Sequence, residues 1–154
     1  MKKNVGMAEF EICKAPEALS IIGLGSCVAV AVYHGKTRTG GLAHVMLPEG
    51  RQENIAKPGK YANTAINALL QQMKKETRDK EGFTAKIAGG AQMFKITKGF
   101  SIGEKNIAAV KKELNNLGIR IVGEDVGNSY GRTVTFSVED GSLKIKSIYG
   151  ESVI

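Results

Sequence analysis

The sequence is poor in the residues that build redox and metal sites. It carries two cysteines, Cys13 and Cys27, and two histidines, His34 and His44. None of them shows Cys-x-x-Cys spacing, so no structural zinc site is expected. An isolated pair of cysteines in a reducing compartment reads as free thiols rather than a disulfide. Long apolar runs are missing too. The uncharged stretch 21–33 holds 13 residues, against the ~18 or more that a bilayer-spanning helix needs. Met1-Lys2-Lys3 opens like a signal peptide, but Asn4, Gly6, Glu9 and Glu11 interrupt any apolar region behind it. A cytoplasmic protein without membrane insertion is therefore expected. With no repeat, low-complexity tract or Pro/Ser-rich linker, residues 1–154 read as a single domain.

What is present is ordinary for a soluble globular chain: 42% hydrophobic and 24% charged residues. A chain of this length can bury a core without disulfide or metal staples. Twenty-two Lys and Arg against 15 Asp and Glu leave a formal charge of +7, which favours acidic partners. Lys57, Lys60, Lys74, Lys75, Lys86, Lys95, Lys98, Lys105, Lys111 and Lys112 are scattered, with few aromatics among them. Nucleic-acid binders concentrate their charge on one face, so no nucleic-acid partner is expected. A salt-dependent nucleic-acid binder remains the rival that the charge alone would allow.

Hydrophobic periodicity gives the elements. Strands are expected over 5–12, 19–22, 28–33 and 40–46, the third apolar throughout and so buried on both faces. A helix should follow Pro58, with Tyr61, Ala65, Ala68, Leu69 and Met73 on one face and Lys74, Lys75 and Arg78 at its C-terminal end. A short strand at 85–88 leads into Gly89-Gly90. Ser101 and Glu104 have capping-box spacing before Ile107, Val110, Leu114 and Leu117, and Gly118 sits where a left-handed cap is wanted. Strands should follow at 119–126, 133–138 and 143–148, the last two joined by an Asp140-Gly141 turn. The fold class expected is α+β, a mixed or antiparallel β-sandwich flanked by two long helices.

Chemistry concentrates in Gly23-Leu24-Gly25-Ser26-Cys27, between two apolar strands. Glycines there let the backbone turn tightly. A cysteine at the turn would present its sulfur near backbone N–H groups, as nucleophilic cysteine chemistry requires. His44 lies 44 − 27 = 17 residues on, a distance that fits strand, turn and returning strand. A Cys–His pair of this kind gives a thiolate near neutral pH. Spacing leaves the plainer alternatives open, since a lone cysteine among Val and Ala is usually a small buried hydrophobe and a lone strand histidine a satisfied core residue. Gly23-x-Gly25 lacks the third glycine of a dinucleotide fingerprint, because position 28 is Val. A phosphatase-type cysteine loop would want arginine where Tyr33 stands. Cys13 reads as structural or inert. His34, followed by Gly35-Lys36-Thr37, reads as a solvated loop residue.

Six ordered blocks resemble the chemotaxis protein family CheD: 23–28 (GLGSCV), 43–48 (AHVMLP), 57–62 (KPGKYA), 85–91 (AKIAGGA) with Met93-Phe94, Ile102-Gly103 with Asn106, and Gly123-Glu124-Asp125 with Gly127 and Arg132. The resemblance implies a chemoreceptor glutamine deamidase, with methylesterase activity in some members. It implies Cys27 as nucleophile and His44 as general base and acid, and no cofactor or metal. Gly25 and Ser26, with Gly89 and Gly90, would line the oxyanion and substrate site. Expected partners are chemoreceptor cytoplasmic helices and a CheC-type phosphatase. The alternative is a weakly catalytic CheC partner. The fold implied is similar to the catalytic domain of cytotoxic necrotizing factor toxins. The family's third triad member, a threonine six residues before the cysteine, is replaced here by Ile21. Ser20 can stand in only if its strand is bulged or shifted. Otherwise a backbone carbonyl or water must orient His44.

Overall fold

The structure, a computed structural model, describes residues 2–51, 56–93 and 101–154. Ten strands form two five-stranded sheets. The first has the order β1 (Lys2–Asn4), β3 (Ala18–Leu24), β8 (Arg132–Ser137), β9 (Ser142–Ser147) and β10 (Gly150–Val153). The second has the order β2 (Phe10–Lys14), β5 (Thr39–Val45), β4 (Val28–His34), β6 (Phe83–Gly89) and β7 (Arg120–Val126). Helices α1 (Ala62–Thr77) and α2 (Ile102–Asn116) cover the outer face of the second sheet. The expected α+β class with two long helices holds, with parallel pairs at β1–β3 and β6–β7 and antiparallel pairs elsewhere.

The sequence of β4 explains the layering. Successive strand residues face opposite sides of a sheet. Val28, Val30 and Val32 point into the core shared with the helices, beside Ile66, Leu69, Met73, Val110 and Leu114. Ala29 and Ala31 point into the other core, against Leu19, Ile21, Val134, Phe136 and Leu143 of the first sheet. The bulky residues thus meet helices, and the small ones let two sheets stack.

Helix ends follow their signals. Ser101 caps α2, its Oγ accepting from the Glu104 N–H at 3.2 Å, and Gly118 adopts φ +70° beyond the end. Helix α1 is closed by Arg78 in the left-handed region, φ +56°. The expected 5–12 strand is replaced by two elements. The chain leaves the first sheet after Asn4, turns at Met7-Ala8 with Ala8 at φ +64°, and joins the second sheet at Phe10. One continuous strand could not serve both sheets. His34 is also corrected. It ends β4 at 1% exposure, bonded through Nδ1 to Thr37 Oγ1 (2.8 Å) and through Nε2 to the Asp79 carboxylate (3.2 Å).

Phe136 sits wholly buried between the sheets, edge-on to Tyr33 with centroids 6.0 Å apart. Phe136→Ala is expected to cost about 3–5 kcal/mol, read as a fall in the urea midpoint at unchanged slope. A loss under ~1 kcal/mol would mean that the inter-sheet layer is not the close-packed core described.

Candidate active site

Two adjacent strand ends build the site. Strands β4 and β5 pair antiparallel with Ala29 opposite His44 and Val28 opposite Val45. His44 shares a face with Leu42, which lies in the inter-sheet core. Cys27 directly precedes β4 and packs against that same core. Cys27 and His44 are therefore diagonal neighbours on one face, a relation that spans about 7–8 Å between backbones and stays within reach of a ring side chain.

The turn carrying Cys27 is tied to the end of β6. Gly90 N–H donates to the Cys27 carbonyl (2.8 Å) and Ala91 N–H to the Gly25 carbonyl (2.9 Å). Gly89 makes this approach possible. Its φ is +107°, and a Cβ there would collide with the Cys27 carbonyl oxygen. Because the Gly90 N–H is spent on Cys27, it is not an oxyanion donor in this arrangement. Among the described residues, nothing accepts from the N–H of Ser26, while the N–H of Cys27 lies against its own sulfur and favours the thiolate.

His44 is held by the N-terminal segment. Its backbone N–H donates to the Glu9 carbonyl (2.9 Å), and its own carbonyl accepts from Ala8 N–H (3.1 Å). The ring Nδ1–H donates to the Val5 carbonyl at 3.3 Å. That bond fixes the tautomer and leaves Nε2 with its lone pair free to act as a base. Burial lowers the His44 pKa, with the Val5 carbonyl and the Glu9 carboxylate opposing. The imidazole is therefore neutral at pH 7.

Ser20 is not brought to this ring. Leu19 and Ile21, on either side of it, both face the inter-sheet core, so Ser20 points the other way. The register shift in β3 falls between Ile21 and Leu24, past Ser20, which still pairs with Thr135. Ser20 reaches the site through backbone only, its carbonyl accepting from Val5 N–H at 2.7 Å. The hydrogen-bond partner of the His44 ring is instead the Val5 carbonyl. No side-chain pattern reveals a backbone oxygen, which is why sequence reasoning did not name Val5.

Beside Gly90 opens a cleft of about 440 Å³ lined by Gly90, Gln92, Met93, Glu104, Asn128 and Ser129. Gly127 also lines it, and behind Gly127 lies Arg132. That side chain is buried, bonded to Asp125 (3.0 Å) and the Gly127 carbonyl (2.9 Å), with its guanidinium stacked 4.6 Å from the Tyr130 ring. Gln92 N–H donates to Asn128 O, and Gly127 N–H to Gly89 O. Phe94, Lys95 and Lys98, quoted from the sequence, lie outside the described residues. No group of three or more His, Cys, Asp or Glu that could hold a metal occurs among the described residues.

A family model described as CheD chemotactic sensory transduction matches residues 46–147. The chain belongs to the CheD family. It is 43% identical over 150 residues to a protein of Thermotoga maritima named chemoreceptor glutamine deamidase CheD, covering 97% of this chain and 94% of that one. It is 43% identical to a Methanococcus maripaludis protein, with 96% of each covered, and 42% identical to a Clostridium novyi protein, with 94% and 92% covered. Both of these are named probable chemoreceptor glutamine deamidase CheD.

In this CheD-family chain the thiol is not the preformed thiolate that the Cys–His spacing suggested. Burial pushes the Cys27 pKa up, its own backbone N–H only partly opposing. Cys13 is pushed up to about 11, by burial and then by Glu17. Iodoacetamide labelling with peptide mapping across pH should therefore give a Cys27 midpoint above the ordinary thiol range. Cys13 should titrate near 11. A Cys27 midpoint near neutrality would mean a resting ion pair and contradict this reading.

Proposed function

We propose that this chain hydrolyses glutamine side-chain amides of chemoreceptor cytoplasmic helices to glutamate, with Cys27 as nucleophile and His44 as general base and acid. The observation that carries the reading is the shared face of Cys27 and His44, a neutral imidazole beside a half-buried thiol. The relatives' names supply the substrate class.

Each step follows from the protonation states. His44 Nε2 takes the Cys27 proton as the sulfur attacks the amide carbon, so no resting thiolate is needed. The carbonyl π pair moves onto oxygen, where the N–H groups of Ser26 and Cys27 stabilise it; losing one such donor typically costs about 3 kcal/mol. The imidazolium then gives its proton to the nitrogen, the C–N bond breaks, and ammonia leaves a thioester. Water loses a proton to His44 and attacks the thioester carbon. The C–S bond breaks, the sulfur regains its proton from His44, and glutamate is released. The Val5 carbonyl holds the imidazolium that forms twice in this cycle.

The same attack opens a methyl ester, so receptor methylesterase activity belongs to this proposal. So do a CheC-type phosphatase partner, a cytoplasmic setting and fold kinship with the cytotoxic necrotizing factor catalytic domain. No helix among the described residues is long and apolar enough to cross a membrane.

Cys27→Ala should abolish ammonia release from a receptor fragment, and His44→Ala should lower it about 10²- to 10⁴-fold, both with unchanged circular dichroism. Mass spectrometry should find the conversion of amide to acid at receptor glutamines. Full activity in Cys27→Ala would sink the mechanism. In pH terms, activity needs neutral His44, and burial lowers its pKa. The acid limb of kcat/KM should therefore lie below the ordinary imidazole value of about 6.5; a limb above it would contradict the tautomer and burial described.

A further inference from the structure

Asn106 is fully buried in the first turns of α2. Its amide Nδ2 donates to two backbone carbonyls far away in sequence, Ser26 O at 2.9 Å and Met46 O at 2.9 Å. Its Oδ1 is buried with no hydrogen-bond partner among the described residues. We infer that Asn106 is a positioning residue, a single amide that clamps the chain just before Cys27 to the chain just after His44 and so sets the distance between nucleophile and base. The inference rests on the deamidase reading and adds a residue to it.

Three features separate this from ordinary packing. First, the two acceptors are not arbitrary. Ser26 is the residue before the nucleophile, and Met46 lies two residues past the base. Both sit where β4 and β5 have stopped pairing: the last matched pair is Val28 with Val45. Ladder hydrogen bonds therefore no longer hold these ends together, and Asn106 takes over. Second, α2 reaches this point through a close approach. A Cβ on Gly103 would collide with the Gly90 and Ala91 carbonyls. Those residues donate to Cys27 and Gly25, so one turn of α2 braces the nucleophile's turn from both sides. Third, a purely structural brace would satisfy its own oxygen, or an apolar residue would fill the space. A buried amide oxygen without a donor is an expense that proteins rarely keep, and here it accompanies two donors placed where only an N–H group can serve two carbonyls.

The test compares wild type with Asn106→Ala, Asn106→Asp, which keeps the shape but loses both donors, and Leu114→Ala. Leu114 is buried on the same helix, about two turns beyond Asn106, so it controls for lost stability. Below each variant's melting temperature, both Asn106 variants should lose kcat about 10- to 100-fold, with KM within about twofold. Leu114→Ala, at a similar fall in melting temperature, should keep the wild-type kcat. Iodoacetamide labelling of Cys27 and the pH titration of the His44 ring by NMR, both run without receptor, should shift in the Asn106 variants and not in Leu114→Ala. Unchanged kcat, labelling and titration in a folded Asn106 variant would overturn the inference and leave the deamidase reading intact. Equal kcat loss in Leu114→Ala, or failure of both Asn106 variants to fold, would make Asn106 structural and also overturn it. Shifted labelling and titration with no ammonia release even from wild type would count against the deamidase reading alone.

Discussion

The antiparallel register of β4 and β5 is the constraint on which the site depends. Ala29 opposite His44 puts the imidazole on the inter-sheet face, and the residue two before Ala29 is the cysteine. A slip by one residue would turn His44 toward the helices and away from the face that Cys27 shares. The register is secured on both faces. Valines lock β4 against α1 and α2, and alanines lock it against the first sheet. Because β4 is central in its sheet, paired on one side with β5 and on the other with β6, neither neighbour can shift without breaking a packed layer.

Burial that secures the geometry also decides the chemistry. It disfavours the charged form of each group, raising the thiol and lowering the imidazole. The resting pair is then neutral on both sides. In the proposed mechanism proton transfer then accompanies attack, as for a serine nucleophile, and charge appears only when substrate is bound. For Cys27 this limits adventitious alkylation and oxidation, which need the thiolate. For His44 it places weight on the Val5 carbonyl, the partner that favours the imidazolium.

Much of this was legible in the sequence. The VAVAVY run announced a strand buried on both faces, and Ser101, Glu104 and Gly118 marked the ends of α2 where they occur. Cys27 and His44 stood out as a lone thiol on a glycine turn and a lone imidazole on a returning strand. Three things were hidden. The sheet switch at Met7-Ala8 depends on a positive φ at an alanine, which composition does not announce. The partner of His44 is a carbonyl, and every residue has one. His34 looked like a loop residue because glycine follows it, while Thr37, Asp79 and Phe83 close around it only in three dimensions. Asn106 did carry a signal. It falls on the stripe of Gly103, Val110 and Leu114, where a polar residue on an apolar face implies a buried partner.

The most direct measurement is capture of the covalent intermediate. Wild-type protein mixed with a receptor fragment and quenched in acid within one turnover would be digested and mapped by mass spectrometry. A receptor peptide joined to the Cys27 peptide through a hydroxylamine-sensitive thioester, absent when His44 is replaced, is the expected result. Steady ammonia release with no adduct on Cys27, or with the adduct on Cys13, would contradict the pairing of sulfur and imidazole between the two sheets.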